Sequence, residues 1–300
     1  MLIGYCNADC QKSHWPKHKK LCKQRAAELR DETLFKDPPA KEECPICFLP
    51  MPVKLISCVS LPPATVTSVP IDDYATANEE MAKLETKTYY SCCGKSVCQG
   101  CIYSFCVSGN IGKCPFCNSD RASKTDEEYV EQMMKRVVAN DAASIFMLAN
   151  CYSRGLRGLQ QDPVMALELY ARAVELGFSK AHSHLGDVYR KGGDMKKAKL
   201  HYEAAAMAGD EVARCWLGNM EAKSWNVERT IKHWTIAASA GEYTAMHTMR
   251  KFFEKGAVSR ESIDSTLTAY NSSCAKTRSE PRDAFIRFSP ESTQCMRSEA

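Results

Sequence analysis

No run of about 18 apolar residues occurs anywhere in the chain, so no membrane-spanning helix is expected. The opening MLIGYCNADC turns polar after a few apolar residues, which excludes an ordinary secretory leader. Charge of neither sign is in excess: 40 Lys+Arg stand against 36 Asp+Glu, so no global field draws the protein to nucleic acid or a lipid surface. Histidine is scarce, with 7 residues. Cysteine is not: there are 17, and 13 of them fall in the first 117 positions. An odd count without a leader argues against a disulfide framework. A reducing setting, cytoplasm or nucleus, is expected. At 300 residues the chain has room for two or three domains, and the cysteine distribution divides it into a thiol-rich first part and a second part without metal-ligand spacing.

Three C-x-x-C pairs stand out, Cys44/Cys47, Cys98/Cys101 and Cys114/Cys117. Such a turn lets two thiolates reach one zinc ion in tetrahedral geometry, so two pairs close one structural site. Three pairs leave the second site two ligands short. Cys92 and Cys93, adjacent in YYSCCGKSVCQGC (residues 89–101), would complete it and bring the total to eight thiolates, enough for two Zn2+. Cys58 and Cys106 have no partner at ligand spacing and read as small buried hydrophobes.

Residues 44–117 resemble the RING domain in its all-cysteine form. The resemblance implies a cross-braced assignment: Cys44, Cys47, Cys98 and Cys101 around one ion, Cys92, Cys93, Cys114 and Cys117 around the other. Both ions would be structural, since four thiolates leave no position for water. Two departures from the family pattern stand out. The third and fourth ligands are adjacent, and a rival assignment places Lys95 where a histidine is usual. The interval 48–91 is also long, and a loop with a short helix at ATANEEMAKLE is expected there. RING domains commonly act as ubiquitin ligases, binding a ubiquitin-conjugating enzyme on a small apolar groove. Carried over, the groove would hold Ile46, Phe105 and Pro115, with the uncharged Asn118 where many active members have a cation. The resemblance thus implies a ubiquitin ligase, or a ligase subunit, that recruits substrate proteins through the second part of the chain; the alternative is a zinc-stabilised interaction scaffold without ligase activity.

At the N-terminus, Cys6, Cys10, His18 and Cys22 are spaced like the second half of a MYND finger, over residues 1–24. With the first half absent, little or no zinc is expected there. The lysines around it read as a solvated helix face, and no nucleic acid is expected. No cofactor-binding pattern follows that would support the methyltransferase chemistry of some MYND-bearing enzymes.

From residue 125 the text becomes helix-periodic. TDEE (125–128) has the form of a capping box. Tyr170, Tyr202 and Trp234 recur every 32 residues, as do Ala173, Ala205 and Ala237, and Gly177, Gly209 and Gly241. A two-helix unit of this length cannot bury its own face and must stack. The pattern resembles Sel1-like repeats, relatives of the tetratricopeptide repeats, and implies a protein-binding solenoid over 125–288 with capping helices at its end and a polar tail at 289–300. His182, His184, His201, His233 and His247 share no ligand spacing and read as surface or packing residues. The expected fold is a small zinc-stabilised α+β domain (40–120) followed by an all-α helical-repeat solenoid. A chelator is expected to unfold the first part and leave the second standing.

Overall fold

The computed structural model describes residues 15–52, 87–121 and 124–285; the side chains of residues 15–19, 21 and 22 are outside that description. Cys6, Cys10, Cys58, the expected helix at 75–85 and the tail at 289–300 also lie outside the described residues. Among the described residues, no helix is long and apolar enough to cross a membrane.

The chain enters through α1 (Trp15–Leu34), a polar helix. The cysteine-rich part follows: a loop closed by the Glu43↔Pro50 bridge, strands β1 (Lys87–Tyr90) and β2 (Lys95–Cys98), helix α2 (Gln99–Val107), and a second loop closed by the Lys113↔Asp120 bridge. The two strands form an antiparallel hairpin in the register Lys87↔Cys98 to Tyr90↔Lys95. Residues 49–51 and 87–91 thus belong to the folded body, which shortens the insert expected over 48–91 from both ends. Apart from cysteines, the apolar side chains of the buried cluster here are Met51, Tyr90, Val97 and Ile102. At about 1.5–3 kcal/mol each, four such side chains fall far short of the conformational entropy of ordering the segment.

The remainder is a helical solenoid: α3 (Asp126–Val138), α4 (Ala142–Arg154), α5 (Pro163–Glu175), α6 (Lys180–Lys191), α7 (Met195–Met207), α8 (Glu211–Lys223), α9 (Val227–Ser239), α10 (Tyr243–Glu254) and α11 (Arg260–Thr277). The capping box at Thr125 and Glu128 is formed in both directions. Asp162, Asp194 and Asn226 each cap the N-terminus of the helix that follows, 32 residues apart, and satisfy its first backbone N–H groups. Gly177, Gly209 and Gly241 have φ of 83°, 93° and 96°, the left-handed conformation in which glycine ends a helix at least cost. The periodic alanines are fully buried, and so are the aromatics to within a few per cent.

The aromatics bridge neighbouring helix pairs: Tyr170 stacks on His184 at 5.3 Å, Tyr202 on Trp216 at 6.2 Å, and Trp234 meets Phe252 of the following pair. Within their own pairs, Tyr202 and Trp234 also press on a helix that makes room for the ring with glycine. A Cβ on Gly186 would meet Tyr202 Cε1 at 2.6 Å, and one on Gly218 would meet Trp234 Nε1 at 2.5 Å. Trp234 has no room to retreat, because Phe252 packs edge-on at 4.9 Å. Gly218→Ala is therefore expected to destabilise the solenoid by about 1–3 kcal/mol despite alanine's better helix propensity. A thermal midpoint equal to or above that of the parent, followed by circular dichroism, would contradict it.

His233 is fully buried, and neither ring nitrogen has a hydrogen-bond partner among the described residues. Burial pushes its pKa down to about 3, assisted by the charges of Arg214 and Arg229. Unfolded, the imidazole titrates near 6.5, so the unfolded state binds the extra proton and stability falls as pH drops below that value. His233→Leu should remove about 2 kcal/mol of the loss between pH 6.5 and pH 5. Urea unfolding of the two chains at both pH values reads this difference directly.

Candidate metal centres

The hairpin turn explains how adjacent cysteines face one point. Residues 91–94 link Tyr90 to Lys95, and Tyr90 O accepts from Gly94 N at 2.8 Å and from Cys93 N at 3.3 Å. Gly94 takes φ of 70°, and the chain doubles back within four residues. Cys93 Sγ lies 3.8 Å from Cys114 Sγ, and Cys92 Sγ lies 3.5 Å from Cys117 Sγ. Arg136 on α3 locks the turn from outside: Nη2 donates to Cys92 O at 3.2 Å, Nε donates to Ser91 O, and Nη1 pairs with Asp141 at 3.1 Å.

The first and third cysteine pairs meet on the other side of the hairpin. Cys44 Sγ is 3.9 Å from Cys101 Sγ, and Cys47 Sγ is 3.9 Å from Cys98 Sγ. In each group all four sulfurs fall within 4.8 Å of one another. Thiolates at 2.3 Å around a tetrahedral ion sit about 3.8 Å apart, so both groups fit zinc. Lys95 offers no ligand atom: its ammonium lies 5.6 Å from the Phe116 ring centroid. Cys106 belongs to neither group.

The two loops that carry the outer pairs are built alike. In Cys44-Pro-Ile-Cys47-Phe48, Phe48 N donates to Cys44 O at 2.8 Å. In Cys114-Pro-Phe-Cys117-Asn118, Asn118 N donates to Cys114 O at 2.9 Å. The residue after the second cysteine is left-handed in both, with φ of 55° at Phe48 and 58° at Asn118. Asparagine tolerates that conformation better than most residues, which gives position 118 a backbone reason. Phenylalanine does not, yet Phe48 is 71% exposed. Its side chain was not singled out in the sequence, since nothing local marks a left-handed phenylalanine. Of the expected groove residues, Ile46 and Asn118 are exposed, and Phe105 and Pro115 are half-buried. Arg121, the nearest cation, stacks on the Tyr90 ring at 4.4 Å.

The electrostatics of the groups differ. Arg282, buried beyond the end of α11, donates through Nε to Cys98 Sγ and through Nη2 to Cys47 Sγ, each at 3.4 Å, and through Nη1 to the carbonyls of Pro50 and Thr277 at 2.8 and 2.7 Å. Its backbone lies so close to α2 that a Cβ on Gly100 would meet Arg282 N at 2.7 Å, so only glycine fits there. A hydrogen bond from Cys101, then the Arg282 guanidinium, pull the Cys98 thiol down to about 4 against burial; the same bond pushes Cys101 up. In the second group burial opposes ionisation of Cys117, but hydrogen bonds from Ser119 bring it down to about 6. The first group has two buried and two half-buried cysteines with a guanidinium against it, whereas Cys117 at the second is exposed.

Arg282 and Arg136 also correct the expectation of two independent parts. The cysteine-rich domain is bonded to both ends of the solenoid. Tyr89 Oη adds a contact at the near end, lying 2.7 Å from Ser144 Oγ and 3.0 Å from Asp141 Oδ2. His18 and Cys22 fall one turn apart in α1.

Comparison with known proteins assigns the flanking segments. Residues 2–22 match the family model of the MYND finger, and residues 142–178 and 179–210 match that of the Sel1 repeat. Neither match reaches residues 44–117. Among solved structures, the chain is similar to a Sel1 repeat protein from Oxalobacter formigenes, with 24% identity and a TM-score of 0.44 over 51% of this chain and 65% of that one. It is also similar to c5321, a protective antigen of uropathogenic Escherichia coli strains with an SLR fold, at 19% identity and a TM-score of 0.41 over 59% of this chain and 42% of that one. The chain therefore spans less than two thirds of either structure. No curated protein matches it.

Proposed function

We propose that the protein is a zinc-stabilised interaction scaffold, working in the cytosol or nucleus, in which a RING-like module holding two Zn2+ is fixed to a Sel1-type solenoid. The observation that carries this reading is the pair of closed thiol groups, each with four sulfurs at tetrahedral spacing. When bound, zinc supplies folding free energy and no reaction chemistry, because four thiolates leave it no open position. Cys44, Cys47, Cys98 and Cys101 would hold one ion, and Cys92, Cys93, Cys114 and Cys117 the other. Sel1 repeats generally mediate contacts between proteins, which is the role this reading gives to the solenoid.

Ligase activity is the second reading. The exposure of Ile46, Phe48 and Phe116 on the two cysteine loops favours it, since an apolar patch there is what a conjugating enzyme would dock on. The half-buried Phe105 and Pro115, and an Asn118 whose side chain brings no charge, favour the scaffold. Discharge of ubiquitin from a charged conjugating enzyme separates them. The scaffold reading expects the full chain to leave the discharge rate unchanged. Acceleration that disappears in Phe105→Ala would replace it with the ligase.

A further inference from the structure

The last turn of α1 and the linker after it lie on the face presented by α7, α8 and α9. Leu34, 1% exposed, is sunk among Ala198, Tyr202, Ala205 and Leu217. Its carbonyl accepts from Arg214 Nη1 at 2.8 Å. One turn earlier, Arg30 Nε donates to Glu203 Oε2 at 3.0 Å and Asp31 pairs with Arg229. The Phe35 ring lies 4.7 Å from the His233 imidazole, with the Arg229 guanidinium 5.1 Å from its centroid.

Two observations set this contact apart from ordinary core packing. The repeat groups lining the seat are polar and buried, and the repeats do not satisfy them: Arg214 is 2% exposed with its hydrogen bond directed at the Leu34 carbonyl, and His233 has no hydrogen-bond partner among the described residues. A guanidinium aimed at the final carbonyls of a helix recognises a helix C-terminus, through both hydrogen bond and dipole. The second observation is that α1 is held by its end. Lys23, Gln24, Ala27 and Glu28, further up the helix, are exposed.

The geometry points to a docking site on α7–α9 for a partner-protein helix ending in Leu-Phe, with Arg and Asp in the preceding turn, which residues 30–35 of this chain occupy in cis. This rests on the scaffold reading and names the class of partner. The tether keeps the segment at an effective concentration on the order of millimolar, so a partner gains the face only by matching these anchors and competing.

The test uses a fluorescent peptide of residues 24–37 titrated with the full chain and with the full chain carrying Leu34→Ala and Phe35→Ala. The opened chain is expected to bind the peptide at least tenfold more tightly than the parent, and Glu203→Arg in the opened chain should abolish the gain. Binding no tighter than the parent's, with helicity and zinc content retained, would overturn the proposal. If the double variant does not fold, Arg30→Glu takes its place; a gain of at least threefold supports the site, and no gain overturns it. A parent dimer that Phe35→Ala dissociates would assign the face to a second copy and also overturn the proposal. Zinc content and ubiquitin discharge report on the scaffold reading and the peptide reports only on this face, so the two failures are distinguishable.

Discussion

Serine in place of Cys98 should cost the protein the zinc ion of the Cys44 group and unfold residues 41–52 and 95–107 around it. Cys98 is fully buried, ends β2 opposite Lys87 and stands at the N-terminus of α2, so its loss removes a ligand and the junction of strand and helix together. A structural zinc site contributes on the order of 10–16 kcal/mol apparent, comparable to or larger than the roughly 5–15 kcal/mol that keeps an ordinary domain folded. The four apolar side chains of the buried cluster here have nothing comparable to offer. Cys106→Ser is the control: the residue lies in the same small core but in neither sulfur group, and should retain both ions at a cost of about 1–2 kcal/mol. Zinc content by native mass spectrometry, together with hydrogen exchange over residues 87–121, reads both variants. Retention of two ions by Cys98→Ser would refute the assignment.

Arg282→Met is the second large effect. The guanidinium is buried between two sulfurs and three carbonyls contributed by segments more than 180 residues away and by the end of α11. Removing one partner from a buried charged cluster costs about 3–5 kcal/mol, because the remaining groups stay buried without their counter-charge. Zinc should leave the Cys44 group faster under a chelator, while release from the Cys92 group, which Arg282 does not bond, is unchanged. Arg282→Lys should not restore the parent rate, since a single ammonium cannot reproduce the forked geometry. Stripping zinc from this chain is then expected to loosen the end of the solenoid as well, contrary to what two independent parts would do. Identical release kinetics in parent and variant would show that Arg282 is a bystander.

What the sequence made legible was local or periodic. The 32-residue recurrence of Tyr170, Tyr202 and Trp234 and of their alanines is a packing requirement written once per unit, and all of these side chains are buried where the period places them. The recurring caps Asp162, Asp194 and Asn226 carry the same signal and went unread. The eight thiols were legible because a C-x-x-C turn is a short-range constraint, and Cys92 with Cys93 followed by elimination. Contacts that close the molecule left no such trace. Arg282 is one arginine in a polar stretch, and nothing near it in sequence indicates a sulfur 184 positions away. Leu34 and Phe35 form a lone apolar pair in the charged segment RDETLFKDPP, a signal too short for any periodicity. Gly186 and Gly218 look like helix-weakening residues until the aromatic ring over each is seen.

Two closed thiol groups should hold two zinc ions, a stoichiometry that can be counted. The full chain carrying Cys6→Ser and Cys10→Ser, which removes two of the MYND-type ligands, should show two ions per chain by native mass spectrometry. A single ion would mean that Cys92 and Cys93 do not ligate together and that the second centre does not exist.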